Sequence, residues 1–299
     1  MDDPVAFAFP GVGVRFCGRE STFAAEHPAV LDTLEEASRG LDLRSILGFL
    51  DTDGVSELEA QRFAFAFSCG MAAQARTTGL HPVLVTGYSH GIYAALVASG
   101  ALGFRDGLAC VEAAYACMKA ADIAPGGLGV IVGLSRNEVE SRLGGRAGGS
   151  GCSPQIVNEN HDSSFVISGP LAPLERALKG AAALGALKSL RLRADLPYHH
   201  PDLAAALPAF STFLDQLPWQ PPECPVLSCI DQAAIVDVET LKQHVVANLA
   251  TPIHWRLTVE AMVALKIGVV IECGAGISLT QNARFLVRSP RFVPVGRTP

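Results

Sequence analysis

The sequence predicts an α/β protein: a large domain on a parallel sheet, interrupted by a smaller α+β unit. Three observations predict it. Short apolar runs stopped by Gly or Pro alternate with longer stretches of helical spacing, the order of parallel strands joined by crossover helices. At Pro125-Gly126-Gly127 the pattern changes to β-α-β-β-α-β over some 70 residues. After residue 196 the first pattern returns. The expected division is therefore 1–125 with 197–299 for the large domain and 126–196 for a ferredoxin-like insert.

The elements follow in chain order. Val5 to Phe9 is an apolar run stopped by Pro10, Gly11 and Gly13, as a buried strand before a tight turn would be. Residues 57–78 have helical spacing, interrupted only by Gly70. Pro82 to Thr86 reads as a second buried strand, ended by Gly87. Ile92 to Ser99 and residues 106–121 read as helices. In the insert, Leu128 to Val132 is a strand, and Ser135 with Glu138 forms a capping box opening a helix to about Leu143. Gln155 to Glu159 and Phe165 to Ser168 are strands around a turn at His161-Asp162-Ser163. Leu171 to Leu184 is an Ala- and Leu-rich helix, and Leu187 to Arg193 alternates as an exposed strand does. Val269 to Glu272 is a further core strand before Gly274 and Gly276.

Composition narrows the function. The 299 residues are 49% hydrophobic and 17% charged, enough for a large core and unlike a disordered chain. The net charge of −6 gives no nucleic-acid footprint. The acidic start, Met1-Asp2-Asp3, lacks the positive region of a secretion signal, and no apolar run approaches a membrane span. The eight Cys, at 17, 69, 110, 117, 152, 224, 229 and 273, form no CxxC pair. No zinc site is expected, and the thiols are expected reduced and mostly buried. The expectation is a cytoplasmic enzyme.

Gly87-Tyr88-Ser89-His90-Gly91 matches G-x-S-x-G between a buried strand and a helix. That pattern places a serine on a sharp turn, where only glycines escape collision. At a helix start the serine also meets free N–H groups that stabilise an oxyanion. A serine nucleophile needs a base. Eight histidines, at 27, 81, 90, 161, 199, 200, 244 and 254, are available, and composition does not choose among them.

Several segments together resemble the malonyl-CoA:acyl carrier protein transacylases and the acyltransferase domains of polyketide synthases. Phe9-Pro10-Gly11-Val12-Gly13 is similar to F-P-G-Q-G, and Gly87 to Ala95 to G-H-S-x-G-E-Y-A-A. Ala101 to Asp106 is similar to A-L-S-F-E-D, and Val157-Asn158-Glu159-Asn160 with Val166 to Gly169 to V-x-N-x-N and V-I-S-G. Pro197-Tyr198-His199-His200-Pro201 is similar to P-F-H-S-P. Asn248 to Trp255 is similar to Q-L-x-x-P-V-x-W, and Glu272 to Gly276 to E-V-G-P-G. The matches run in order along nearly the whole chain. The resemblance implies an α/β-hydrolase-like large domain with Ser89 as nucleophile and His199, not His200, as base. It implies a main-chain carbonyl near Asn248 orienting that histidine. It also implies an oxyanion hole from the N–H groups of Val12 and His90, and a pocket containing Gln61, Ile92, Ala114, Tyr198 and Asn160. The implied reaction is ping-pong acyl transfer from a CoA or carrier-protein thioester to the phosphopantetheine thiol of an acyl carrier protein, in fatty acid or polyketide (antibiotic) biosynthesis. No cofactor is implied.

One departure matters most. Members that load malonyl carry an arginine in L-V-R-L-R-G-x-L-M, where a guanidinium fork holds the malonyl carboxylate. Here the stretch is Cys110 to Met118, and the arginine position falls on Ala114. Lys119 is five residues on, about 140° around the helix, and cannot simply replace it. Val12 for Gln, Ile92 for Glu and Tyr88 for His are further departures. The expected acyl group is therefore neutral, not malonyl. The acyl-enzyme is expected to pass to a thiol, making a transferase; the alternative is water, making an editing hydrolase of carrier-protein thioesters. An α/β-hydrolase using His244 or His254 is a rival, as is a carrier-protein-binding scaffold without activity. Carrier proteins are acidic, so a basic docking face is expected at Lys188, Arg191 and Arg193, or at Arg284, Arg288, Arg291 and Arg297. A monomer is expected.

Overall fold

The computed structural model describes residues 3–12, 19–38, 56–144 and 153–295. Strand β1 (Val5–Phe9) lies at the centre of a six-stranded sheet, and Ala6 to Phe9 are fully buried. Alternate side chains go to opposite faces, as strand geometry demands. Phe7 and Phe9 enter one apolar cluster, and Ala6 and Ala8 enter another with Trp255, Val259 and Met262. A strand covered on both faces reads as an unbroken apolar run, which is why VAFAF was legible.

The remaining elements give this strand its neighbours. Helices α1 (Arg19–Glu26), α2 (Pro28–Ser38) and α3 (Glu57–Thr77) precede β2 (Leu84–Gly87), α4 (Gly91–Ala98) and α5 (Phe104–Ala120). Ser56 and Glu59 cap α3 reciprocally, fixing where it starts. Gly70 interrupts its spacing because α2 crosses there: a Cβ would stand 2.7 Å from the Cα of Val30. The insert supplies β3 (Gly126–Val132), α6 (Arg136–Glu140), β4 (Gln155–His161), β5 (Ser164–Pro170), α7 (Leu171–Ala183) and β6 (Lys188–Arg191). After a 3-10 turn at Pro201–Ala206 come α8 (Leu207–Leu214), β7 (Val226–Leu227), β8 (Ala234–Ile235), α9 (Val238–Ala247), α10 (Trp255–Ala264), β9 (Val269–Glu272), α11 (Ser278–Ala283) and β10 (Arg291–Pro294).

The large sheet runs β10-β9-β1-β2-β7-β8. Its pairings are parallel except the last, where β7 and β8 form an antiparallel edge that the sequence reading did not foresee. The insert forms a separate antiparallel sheet, β4-β5-β3-β6, the ferredoxin-like order. Its helices α6 and α7 cover one face through Val139, Leu174 and Leu178 against Ile131, Phe165 and Ile167. The helix expected to reach Leu143 ends at Glu140, although its Ser135–Glu138 capping box forms as expected.

The two sheets are joined through β4. Ile253 donates its N–H to the Val157 carbonyl at 2.9 Å, and Trp255 donates its N–H to Asn158 Oδ1 at 3.1 Å. Glu159 accepts from Arg136 of α6 at 2.7 Å and from Arg256 of α10 at 2.6 Å. Among the described residues, no helix is long and apolar enough to cross a membrane. The six described cysteines form no disulfide, and four are buried; Cys17 and Cys152 lie outside the described residues.

Candidate active site

The turn between β2 and α4 carries Ser89 at φ 55°, in the left-handed region that side chains rarely adopt. Its flanking glycines are obligatory. A Cβ on Gly87 would lie 2.1 Å from the Ile92 nitrogen, and one on Gly91 would lie 2.2 Å from the Phe9 carbonyl oxygen. The turn is closed by bonds from Gly91 N–H to the Tyr88 carbonyl (2.9 Å) and from Ile92 N–H to the Ser89 carbonyl (3.1 Å). Strain of this kind is held only where the surroundings fix it, and it is concentrated at functional sites.

His199 also has a positive φ, 62°. Its N–H donates to the Leu249 carbonyl at 2.9 Å, which holds the loop after the insert against residues 248–251. Its Nε2 stands 2.7 Å from Ser89 Oγ, and its Nδ1 is 3.2 Å from the Thr251 carbonyl oxygen. A carbonyl only accepts, so the proton sits on Nδ1, and Nε2 is left to accept from the serine hydroxyl. Burial pushes the imidazole down to about 4, against the opposing pull of the Thr251 and Asn248 main-chain carbonyls. His199 is therefore neutral at pH 7. The carbonyl expected near Asn248 is thus chiefly that of Thr251, three residues on, where the chain after α9 turns back toward the site. The Asn248 side chain donates to the Ser89 carbonyl at 3.4 Å instead. His200 faces away, bonded to the Ser153 carbonyl (3.1 Å) and the Asp202 N–H (3.3 Å).

A cavity open to solvent, with about 340 Å³ of empty space including its mouth, lies beside this pair. Of the expected pocket residues, Gln61, Ala114 and Tyr198 line it, together with Val12 and His90, expected at the oxyanion, and Asn248, expected beside the histidine. Ile92 does not. Three positions past the serine it points to the opposite side, into a second cavity with Val226, Ile235 and Leu241. Asn160 does not either. Bulges in β4 turn Asn158 and Asn160 toward Tyr88, whose hydroxyl donates to Asn160 Oδ1 (3.1 Å) and accepts from Asn158 Nδ2 (2.7 Å). Tyr88 thus leaves the cavity and braces the serine turn against the insert. Gly13 and Arg297 lie outside the described residues.

Tyr93, Met118 and Leu249 also line the cavity and were missed. Two carried a signal: Tyr93 is four residues after Ser89, and Met118 is four after Ala114 on one helix face. The wall is mainly apolar, with one polar run. Gln61 Nε2 donates to the Tyr198 hydroxyl at 2.7 Å, and that hydroxyl donates to Glu57 Oε1 at 2.7 Å. The Asp195 N–H donates to Glu57 Oε2 at 3.1 Å. Burial, reinforced by Glu57, holds the Tyr198 phenol far above its usual range. His90 is 7% exposed and burial pushes its imidazole down to about 3, so it is neutral; its Nε2 has no hydrogen-bond partner.

No Lys or Arg stands among the described residues that line the cavity. Ala114 is 2% exposed. Lys119 is exposed, 5.6 Å from the Tyr115 ring centre, and Arg62 pairs with Glu112 at 3.2 Å. His244 pairs with Asp231 at 3.0 Å and His254 opens α10, so neither takes the place at Ser89 that the rival hydrolase arrangement needs. Among the described residues no His, Cys, Asp or Glu cluster could hold a metal.

A strained serine hydrogen-bonded to a neutral imidazole, beside an apolar cavity on an α/β sheet, is equipped for attack on a carbonyl carbon, the chemistry of acyl transfer. The acyl transferase domain model matches residues 10–293, and the chain belongs to that family. It is 29% identical over 287 residues to the malonyl CoA-acyl carrier protein transacylase of Salmonella typhimurium, covering 94% of this chain and 92% of that one. Among solved structures it is similar to the malonyl CoA-acyl carrier protein transacylase of Coxiella burnetii (TM-score 0.86, 26% identity, 99% of this chain and 94% of that). It is also similar to a malonyl-transacylase solved in complex with its type II PKS acyl-carrier protein (TM-score 0.87, 27% identity, 99% and 96%).

Proposed function

We propose that this chain moves a neutral acyl group from a CoA or carrier-protein thioester, through Ser89, to the phosphopantetheine thiol of an acyl carrier protein. The observation that carries this reading is the Ser89–His199 pair at 2.7 Å beside a cavity whose described wall holds no cation. Ser89 Oγ attacks the thioester carbonyl while His199 Nε2 takes its proton. The Oγ–C bond forms, the C–S bond breaks, and the imidazolium returns the proton to the leaving thiolate. The second half runs in reverse with the carrier thiol as nucleophile. The Thr251 and Asn248 carbonyl dipoles favour the transient imidazolium, where other sites use a carboxylate. Main-chain N–H groups of Val12 and His90 would serve the oxyanion; both residues line the cavity, and neither N–H donates to a main-chain carbonyl among the described residues.

The relatives named above are malonyl transacylases. The neutral-acyl reading departs from them because a malonyl carboxylate at Ala114 would be buried without a partner. That costs about 3–5 kcal/mol, roughly a factor of 10² to 10³ or more. For the carrier protein, exposed Arg284, Arg288 and Arg291 flank exposed Phe285 and Val287, a basic and apolar face suited to an acidic partner. Exposed Lys188 and Arg191 on β6 are the second candidate face.

The test is intact mass after incubation with malonyl, acetyl and longer acyl thioesters, with Ser89→Ala as control. A neutral adduct that persists until carrier protein is added supports the transferase. A transient adduct with free acid accumulating makes the enzyme a hydrolase. A stable malonyl adduct overturns the reading of Ala114.

A further inference from the structure

The polar run in the cavity wall has a direction, and the direction selects a ligand. Glu57 accepts on both carboxylate oxygens, from the Tyr198 hydroxyl and from the Asp195 N–H. The Tyr198 hydroxyl has one hydrogen, and it is spent on Glu57. Toward Gln61 the phenol oxygen therefore only accepts, so the amide must turn Nε2 to it. That fixes the other end of the amide. Gln61 is 3% exposed and lines the cavity, and its Oε1 makes no hydrogen bond among the described residues. That Oε1 is not among the sealed, unpartnered atoms; on a residue that lines the cavity it is an acceptor that a ligand's donor can reach. The same wall contains His90, with its unpartnered Nε2. With phenylalanine at position 198, the family residue, no such chain exists: nothing would then orient the amide.

We propose that the acyl pocket selects a neutral acyl group bearing a hydroxyl beyond the thioester carbonyl, which donates to Gln61 Oε1, the amide being held by the Tyr198–Glu57 pair. A carboxylate would place acceptor against acceptor there, and a plain alkyl chain would bury Oε1 unpaired. Gln61 is a specificity-determining residue in this arrangement, and Tyr198 and Glu57 are positioning residues acting through it. The inference rests on the neutral-acyl reading of the same site.

The experiment is pairwise competition for Ser89, read as the ratio of adducts by intact mass. The probes are butyryl-CoA against both enantiomers of 3-hydroxybutyryl-CoA and against 4-hydroxybutyryl-CoA, with malonyl-CoA in a separate arm. The expected result is a preference of about tenfold for at least one hydroxylated probe, the ratio that one hydrogen bond of about 1.4 kcal/mol gives. Tyr198→Phe frees the amide to rotate and is expected to bring that ratio close to one. Glu57→Gln, which removes the fixed acceptor but keeps the shape, tests the same link should Tyr198→Phe fail to fold. A merely structural role would lower both adducts together and leave the ratio unmoved. Equal butyryl and hydroxybutyryl adducts, or a ratio unchanged in both variants, would overturn the inference while leaving neutral acyl transfer intact. A dominant malonyl adduct would instead overturn the neutral-acyl reading on which it rests.

Discussion

Ala114→Arg puts a guanidinium where malonyl-loading relatives of the resembled pattern carry one. The position is 2% exposed, on the cavity face of α5 and one turn before Met118. In the wild type a malonyl carboxylate drawn to Ser89 meets no cation among the described lining residues. The penalty of about 3–5 kcal/mol predicts an acetyl adduct favoured over malonyl by roughly 10² or more. An arginine fork restores a bidentate partner, so the variant should recover most of that factor. Without a carboxylate it leaves its own charge buried, so the free variant should melt at a lower temperature, and malonylation should recover part of the loss. The assay is the malonyl-to-acetyl adduct ratio on Ser89 from an equimolar mixture of the two CoA esters. Ala114→Gln, polar but uncharged, separates charge from bulk. A wild type that already takes malonyl as readily as acetyl would refute the reasoning. So would an arginine variant whose ratio moves no more than the glutamine variant's.

Three further outcomes are expected. The acylation rate, measured in short pre-steady-state mixes, should stay level as pH falls through 6.5 and drop only near pH 4, where His199 protonates; a midpoint near 6.5 would contradict the buried neutral imidazole. Stability should begin to fall at a higher pH than the rate does. His90 and His199 have folded values of about 3 and about 4, below the unfolded 6.5, so the unfolded chain takes protons first. Their contribution is therefore complete above pH 6.5 and lost as pH falls toward 3, and denaturant melts of His90→Gln should show a weaker pH slope. Gly87→Ala drives a Cβ to 2.1 Å from the Ile92 nitrogen and should cost about 4 kcal/mol or more, seen as loss of soluble protein or a collapsed melting temperature. Arg284→Glu with Arg288→Glu should weaken turnover with carrier protein and spare small thioesters; equal loss on both would rule out that docking face.

Where a residue's role is set by local sterics, the sequence displayed it. The glycines at 87 and 91 announce the serine turn because no other residue fits there. Ser135 and Glu138 announce a helix start because the cap is made within four residues. The ferredoxin-like order was legible because each strand and helix carries its own period. What failed depends on direction in space. Ile92 sits three residues from Ser89, yet the first turn of α4 aims it at Leu241. Asn160 shares a motif and a contact with Asn158: both meet the Tyr88 hydroxyl rather than the cavity. A main-chain carbonyl near Asn248 was expected to orient His199, but that it is chiefly Thr251's could not be read, because a main-chain acceptor has no side-chain signature. Glu57 was missed because its role depends on Tyr198, 141 residues away. The β7–β8 edge was missed because two-residue strands have no period to read.

The serine and the histidine that meet at 2.7 Å lie 110 positions apart, and the whole four-stranded sheet is folded inside that loop. The entropy of closing a loop grows only slowly with its length, so enclosing a whole sheet adds little to the cost of bringing the pair together. The serine turn, by contrast, belongs to a contiguous strand and helix, residues 84–98. The Ser89–His199 contact therefore exists only where the far end of the insert and residues 248–251 are both in place, since Leu249 and Thr251 hold His199. Acylation of Ser89 is for the same reason a probe of complete folding, reporting the docking of the insert as directly as it reports chemistry.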